Sequence, residues 1–203
     1  MTRSLRAGAA LLALAVTAPA AEPPQGRKDP QSTYEPRSGP GAGQKFLEKF
    51  VGDWEVAKAF YPRAGAPARA KGECRQRMAH GGRFLRSEFV FGEGPTKTTG
   101  TGLIGFEAES GTFTSVWVDS RSTRMSLRQS QGRFNGEEIV LFSRTLAADG
   151  KEARRSRTVT RLEDGGRKIV HRQYALERDG KERLMMELLL TRKAKAPAAA
   201  EQE

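Results

Sequence analysis

Two periods of hydrophobic and polar residues divide the chain. In the stretch QKFLEKFVG the apolar positions Phe46, Leu47, Phe50 and Val51 recur at three- and four-residue intervals. That spacing puts them on one face of a short helix, and Gly52 is placed to end it. After Gly52 the period becomes two. DWEVAKAF, ARAKGECRQRM, RFLRSEFVF, GTGLIGFE, TFTSVWVD, RMSLRQSQ, EEIVLFSRT, ARRSRTVTRL, KIVHRQYALE and ERLMMELLLTRK follow one another as candidate strands. The connections between them are short and glycine-rich, among them HGG at His80, GEGP at Gly92, ADGK at Ala148, EDGG and RDGK. These read as hairpin loops, because glycine takes positive φ without a steric penalty.

Many short strands joined by hairpins predict an all-β fold: a single antiparallel up-and-down β-barrel of about ten strands with a short N-terminal helix. Closure removes the exposed edges of so wide a sheet. The even hairpin spacing gives no sign of the long crossover that a Greek-key sandwich requires.

The flanks differ from this core. Arg3 and Arg6 precede an apolar run from Ala7 to Ala18, and Ala18-Pro19-Ala20 follows. A positive start, an apolar middle and small residues at the end form a cleavable secretory signal, cut near Ala20, so the protein is expected to be periplasmic or secreted. The run is too short to cross a bilayer, which takes roughly 20 apolar residues. Residues 21–43 are rich in proline and glycine and read as a disordered linker, residues 44–193 as the barrel domain, and residues 194–203 as a disordered tail.

Charge narrows the partners. The chain of 203 residues carries a formal charge of +11, and loss of the signal segment leaves 33 Lys and Arg against 24 Asp and Glu, or +9. The basic residues are scattered through most strands with few aromatics between them, the pattern of a solvated outer face. It suits an anionic component of the cell envelope and argues against nucleic acid. Cys74, the single cysteine, excludes an internal disulfide, and with two histidines the chain lacks the ligands of an ordinary structural zinc site.

Trp54 opens the first strand at a Gly-Asp-Trp step, where an indole can plug the end of a barrel. On the last segment Leu184, Met186, Leu188 and Leu190 share one face, and the count continues to Arg192. First and last strands of a closed meander are neighbours, so Gly52, Trp54 and Arg192 are expected to close the barrel together, guanidinium on indole. In SVWVDS, Phe113, Ser115, Trp117 and Asp119 alternate on one side. A carboxylate there must pair with a buried arginine, join a ligand site, or stand at the rim.

GDW after a short helix, with a basic residue closing the last strand, resembles the calycin barrels, lipocalins and fatty-acid-binding proteins among them. The series GDWEV, GGRFLRSEF, GTGLIGFE, SVWVDS, DGKE and MMELLLTRK is similar to the bacterial family called domain of unknown function 1579. The resemblance implies an exported or cytosolic barrel-like domain with no established reaction. It rests on Trp54, Gly82, Arg83, Trp117, Asp119, Glu187 and Arg192, with Leu190 where a tyrosine is more usual.

The function expected from this architecture is binding of a small apolar molecule, since closed barrels offer a cavity at the mouth. Period two proposes Phe60, Phe89, Phe113, Trp117, Asp119, Tyr174 and Met186 as ligand contacts. The alternatives are a filled barrel acting as a basic interaction module and an enzyme using Asp119 or His171. A haem-binding barrel is a further one. His171 resembles the iron-ligating histidine of nitrobindin barrels if it faces inward, but Val170, Tyr174 and Leu176 favour the opposite face. No phosphate loop, zinc-binding helix or nucleophile elbow is found.

Overall fold

The computed structural model describes residue 31 and residues 39–146 and 152–194. The expected signal segment, most of the expected linker, the turn expected at Ala148 and nearly all of the expected tail lie outside the described residues. Helix α1 (Ala42–Glu48) leads into β1 (Gly52–Phe60), β2 (Ala68–Ala79), β3 (Phe84–Phe91), β4 (Thr98–Glu107), β5 (Thr112–Asp119), β6 (Ser122–Gln129), β7 (Glu138–Leu146), β8 (Glu152–Glu163), β9 (Lys168–Leu176) and β10 (Glu182–Arg192). Each strand pairs antiparallel with the next and β10 returns to β1, so the ten strands close into one barrel. Closure runs from Trp54↔Arg192 to Phe60↔Met186. The ladder is thinnest between β6 and β7, where Gln129↔Phe142 is the paired position.

The helix forms one lid of this barrel. Phe46, Leu47 and Phe50 are buried beneath it, and the rings of Phe46 and Phe134 stand 4.8 Å apart. Phe113 completes the cluster, 4.9 Å from Phe106 and 5.0 Å from Phe134. Gln44 ties the helix to β4, since its Nε2 donates to the Phe106 carbonyl at 2.8 Å.

Two details depart from the simple periodicities. Gly52 does not end the helix. Glu48 does, and tight turns from Lys49 to Val51 carry the chain to Gly52 as the first residue of β1, at φ 154°. Glycine is needed there because a Cβ would stand 2.3 Å from Arg192 Nη1. In β10 a bulge between Leu184 and Met186 breaks the alternation. Leu184 therefore pairs with Tyr174 and leaves the face that Met186, Leu188 and Leu190 share.

The outer wall carries much of the basic excess in cross-strand ion pairs. Arg75 and Arg77 grip Asp53, Arg157 grips Glu182, Arg161 grips Glu138 and Arg172 grips Glu187. Most are exposed pairs, worth about 0.2–1 kcal/mol each. Among the described residues no helix is long and apolar enough to cross a membrane.

Candidate ligand cavity

Strand β5 supplies a depth scale for the barrel interior. Its inward residues recur every second position, which at about 3.3 Å per residue is roughly 7 Å per step. Phe113, the first, is 1% exposed and belongs to the aromatic floor under the helix. Ser115 comes next, paired with Arg128 of β6, then Trp117 paired with Ser126, and Asp119 at the rim opposite Ser122.

Above the floor lies a cavity of about 330 Å³, within the range of small-molecule pockets. One wall is apolar, built from Leu85, Phe89, Ile104, Trp117, Met186 and Leu188. Polar groups are interspersed among these: Gln76, Ser87, Ser115, Arg128, Thr160 and His171, with Ser87 between Leu85 and Phe89 and Ser115 opposite Ile104. Of the contacts expected from period two, Phe89, Trp117, Asp119 and Met186 border this space. Phe60, Phe113 and Tyr174 do not. Phe60 is 44% exposed beside the β9–β10 hairpin, Phe113 is floor, and Tyr174 lies on the outer wall with the Arg157 guanidinium 4.9 Å from its ring.

Trp117 is held from three sides. Its ring packs edge-on to Phe89 at 5.5 Å, and a Cβ on Gly100 would come within 2.3 Å of it, so the indole rests against bare backbone of β4. Its Nε1 donates to Asp119 Oδ2 at 3.0 Å, while Asp119 Oδ1 accepts from the Arg121 backbone N–H at 2.9 Å. Burial pushes the Asp119 carboxyl up, but the bonds from Trp117 and Arg121 outweigh it and hold the group below the ordinary carboxylate range. Asp119 thus acts as a bracket at the rim, with both oxygens engaged.

His171 faces the interior, against the expectation from Val170, Tyr174 and Leu176. Ile169, His171 and Gln173 point into the cavity while arginines blanket the outer face of β9, so apolar content does not mark the inner side there. Its Nδ1 lies 2.8 Å from Thr160 Oγ1. The ring is half-buried and borders the cavity. Burial, and next the Arg128 charge, push its pKa down to about 4. A neutral His171 in the folded state and an unfolded value near 6.5 make its contribution to stability complete above pH 6.5 and lost as pH falls toward 4. Urea unfolding at pH 7 and pH 4.5 is expected to differ by on the order of 2–3 kcal/mol more in the wild type than in His171→Gln, at about 1.36 kcal/mol per pKa unit.

Arg128 is the interior group that periodicity misses. In RMSLRQSQ the apolar residues Met125 and Leu127 suggest the inward face, yet they are 65% and 59% exposed, and Arg128 points inward instead. The one signal for it is parity carried across the turn from Trp117. Its Nε and Gln76 Oε1 are buried without a hydrogen-bond partner.

At the lid end, Arg192 lies 4.1 Å above the Trp54 ring, which is 0% exposed. Its guanidinium donates to the carbonyls of Val51 at 2.5 Å, Lys49 at 2.8 Å and Gly166 at 3.1 Å, and Trp54 Nε1 donates to Phe50 O at 3.1 Å. Cys74, buried behind this plug, has its thiol pushed up to about 12 by burial. It is expected to resist a thiol reagent at pH 8 until urea unfolds the protein, because the thiolate is the reacting form.

The sequence profile of the family described as "Protein of unknown function (DUF1579)" matches residues 39–192. No curated protein sequence matches the chain. Among solved structures, the crystal structure of Rv2717c from M. tuberculosis aligns over 77% of this chain and 100% of its own, at 15% identity and a TM-score of 0.55. The S-type phycobiliprotein lyase CPES from Guillardia theta aligns over 75% and 93%, at 10% identity and a TM-score of 0.47. At 15% identity the first likeness is one of fold.

Proposed function

The chain belongs to the DUF1579 family, and we propose that this member binds a small, largely apolar molecule inside its barrel after export to the periplasm or the cell exterior. The observation that carries the reading is the cavity of about 330 Å³ with an aromatic and aliphatic wall and a few convergent polar groups. Export is read from the positive, apolar and small-residue order of the first twenty positions. The basic outer wall suits an anionic envelope surface as a secondary contact. Open interior volume supports ligand binding over the filled-barrel alternative.

Titration with the neutral fluorophore N-phenyl-1-naphthylamine tests this. Saturable fluorescence at one site per chain is expected, and Ser115→Phe, which places a ring in the cavity, should abolish it while leaving the far-UV circular dichroism intact. Undiminished binding by that folded variant would refute the reading. A second reading is favoured by one observation, that the neutral His171 ring faces the cavity. Haem would take its iron ligand from His171, and a Soret band that forms on haem addition and is lost in His171→Ala would support it.

A further inference from the structure

We propose that the cavity takes its ligand as a monoanion: a small organic acid whose carboxylate seats on Arg128 and whose apolar body lies against Phe89, Trp117 and Met186. The inference rests on the cavity being a binding site and adds the ligand's charge and orientation.

Arg128 is the reason. It lines the cavity from β6, its Nε is buried, and among the described residues it has neither a hydrogen-bond partner nor an ion pair. Arg128 is half-buried, and a partly desolvated cation with no counterion is costly to keep, whereas arginines of the outer wall hold Asp53, Glu182, Glu138 or Glu187. Desolvation lowers the Arg128 pKa, the response of a cation lacking a counterion. A bound carboxylate supplies one in the bidentate geometry that guanidinium prefers.

Its position sets the orientation. Arg128 pairs with Ser115, one step above the Phe113 floor, whereas Trp117 and Asp119 stand one and two steps nearer the rim. An acid therefore enters head first, with its body left beside the indole. Lys58 and Arg121 also border the cavity, and Asp119 is the carboxylate among the lining residues. Asp119 offsets Arg121, to which it is paired. Lys58 sits over the Phe91 ring at 4.9 Å, where it helps draw an anion in. At depth one guanidinium stands beside a neutral His171, so one negative charge is matched, and a dianionic phosphate would leave charge uncompensated. Ser115 offers a hydroxyl for a remaining lone pair.

Isothermal titration of the full chain with 4-phenylbutyrate and with its neutral counterpart 4-phenylbutanol tests the proposal. Wild type is expected to bind the acid at least about 10-fold more tightly than the alcohol, and Arg128→Met to weaken the acid about 10- to 100-fold without weakening the alcohol. Arg128→Lys should retain part of the preference. Acid binding no tighter than alcohol binding, or undiminished in Arg128→Met, overturns the inference while leaving the cavity reading in place. Failure of both ligands while N-phenyl-1-naphthylamine still binds also overturns it. Failure of all three removes the cavity reading as well. Thermal melting gives an independent readout: without ligand, Arg128→Met should melt higher than wild type, since it deletes a half-buried charge that has no counterion. A lower melting temperature would assign Arg128 a structural partner and contradict the proposal.

Discussion

Arg192→Met is expected to lower the unfolding free energy by about 2–4 kcal/mol, through loss of the stack on Trp54 and of the hydrogen bonds to backbone carbonyls. The side chain does four things at once. It covers the buried Trp54 ring at 4.1 Å and donates to the carbonyls of Lys49, Val51 and Gly166. The stack contributes about 1–2 kcal/mol when desolvated, and each backbone acceptor left dry costs about 1–3 kcal/mol. These do not add fully, because the bond to Lys49 is exposed and water can replace it. For a domain of this size the melting temperature should fall by roughly 10 °C. The carbonyls of Lys49 and Val51 follow helix α1, so Arg192→Met should also loosen the lid, seen as faster amide exchange at Phe50. A loss below about 1 kcal/mol would mean that water already solvates the guanidinium.

Phe113→Ala is expected to cost about 3–5 kcal/mol, while Trp117→Ala, which removes a larger ring, should cost less than half as much. Phe113 is enclosed by Phe106 and Phe134 under the helix, and its removal leaves a void that the barrel walls cannot fill. Trp117 already borders open volume on one side, so fewer packing contacts are lost with it. Binding should follow the opposite order, with N-phenyl-1-naphthylamine affinity lost in Trp117→Ala and kept in Phe113→Ala where that variant folds. Urea denaturation measures the first contrast and fluorescence titration the second. Equal stability losses would contradict the division into floor and wall.

The barrel was legible because its signals are local. Glycine-rich turns punctuate alternating segments, and ten such segments with hairpin spacing become the ten strands of one closed sheet. The neighbourhood of Trp54 and Arg192 follows from closure alone, with no knowledge of side-chain contacts. Interior assignments depend on parity, and parity fails where a bulge intervenes or where the outer face is as apolar as the inner one. The bulge at Leu184/Met186 turned Leu184 away from its expected companions. Tyr174 and Val170 looked like core residues because the outer wall of β9 is covered by arginine stems, which hid the inward aim of His171. Met125 and Leu127 concealed Arg128 in the same way. Gly52 looked like a helix stop because its actual constraint, the Arg192 guanidinium, comes from a strand 140 residues later.

The two tryptophans allow the most direct test of ligand binding above the floor. Trp54 is sealed at the lid end with its Nε1 bonded to Phe50 O, and Trp117 forms the cavity wall with its Nε1 on Asp119. In a ¹H–¹⁵N spectrum of the full chain, titration with N-phenyl-1-naphthylamine should move the Trp117 indole signal, assigned through Trp117→Phe, and leave that of Trp54 in place. Binding that shifts Trp54 instead, or shifts neither indole, would place the ligand outside this cavity and contradict the account.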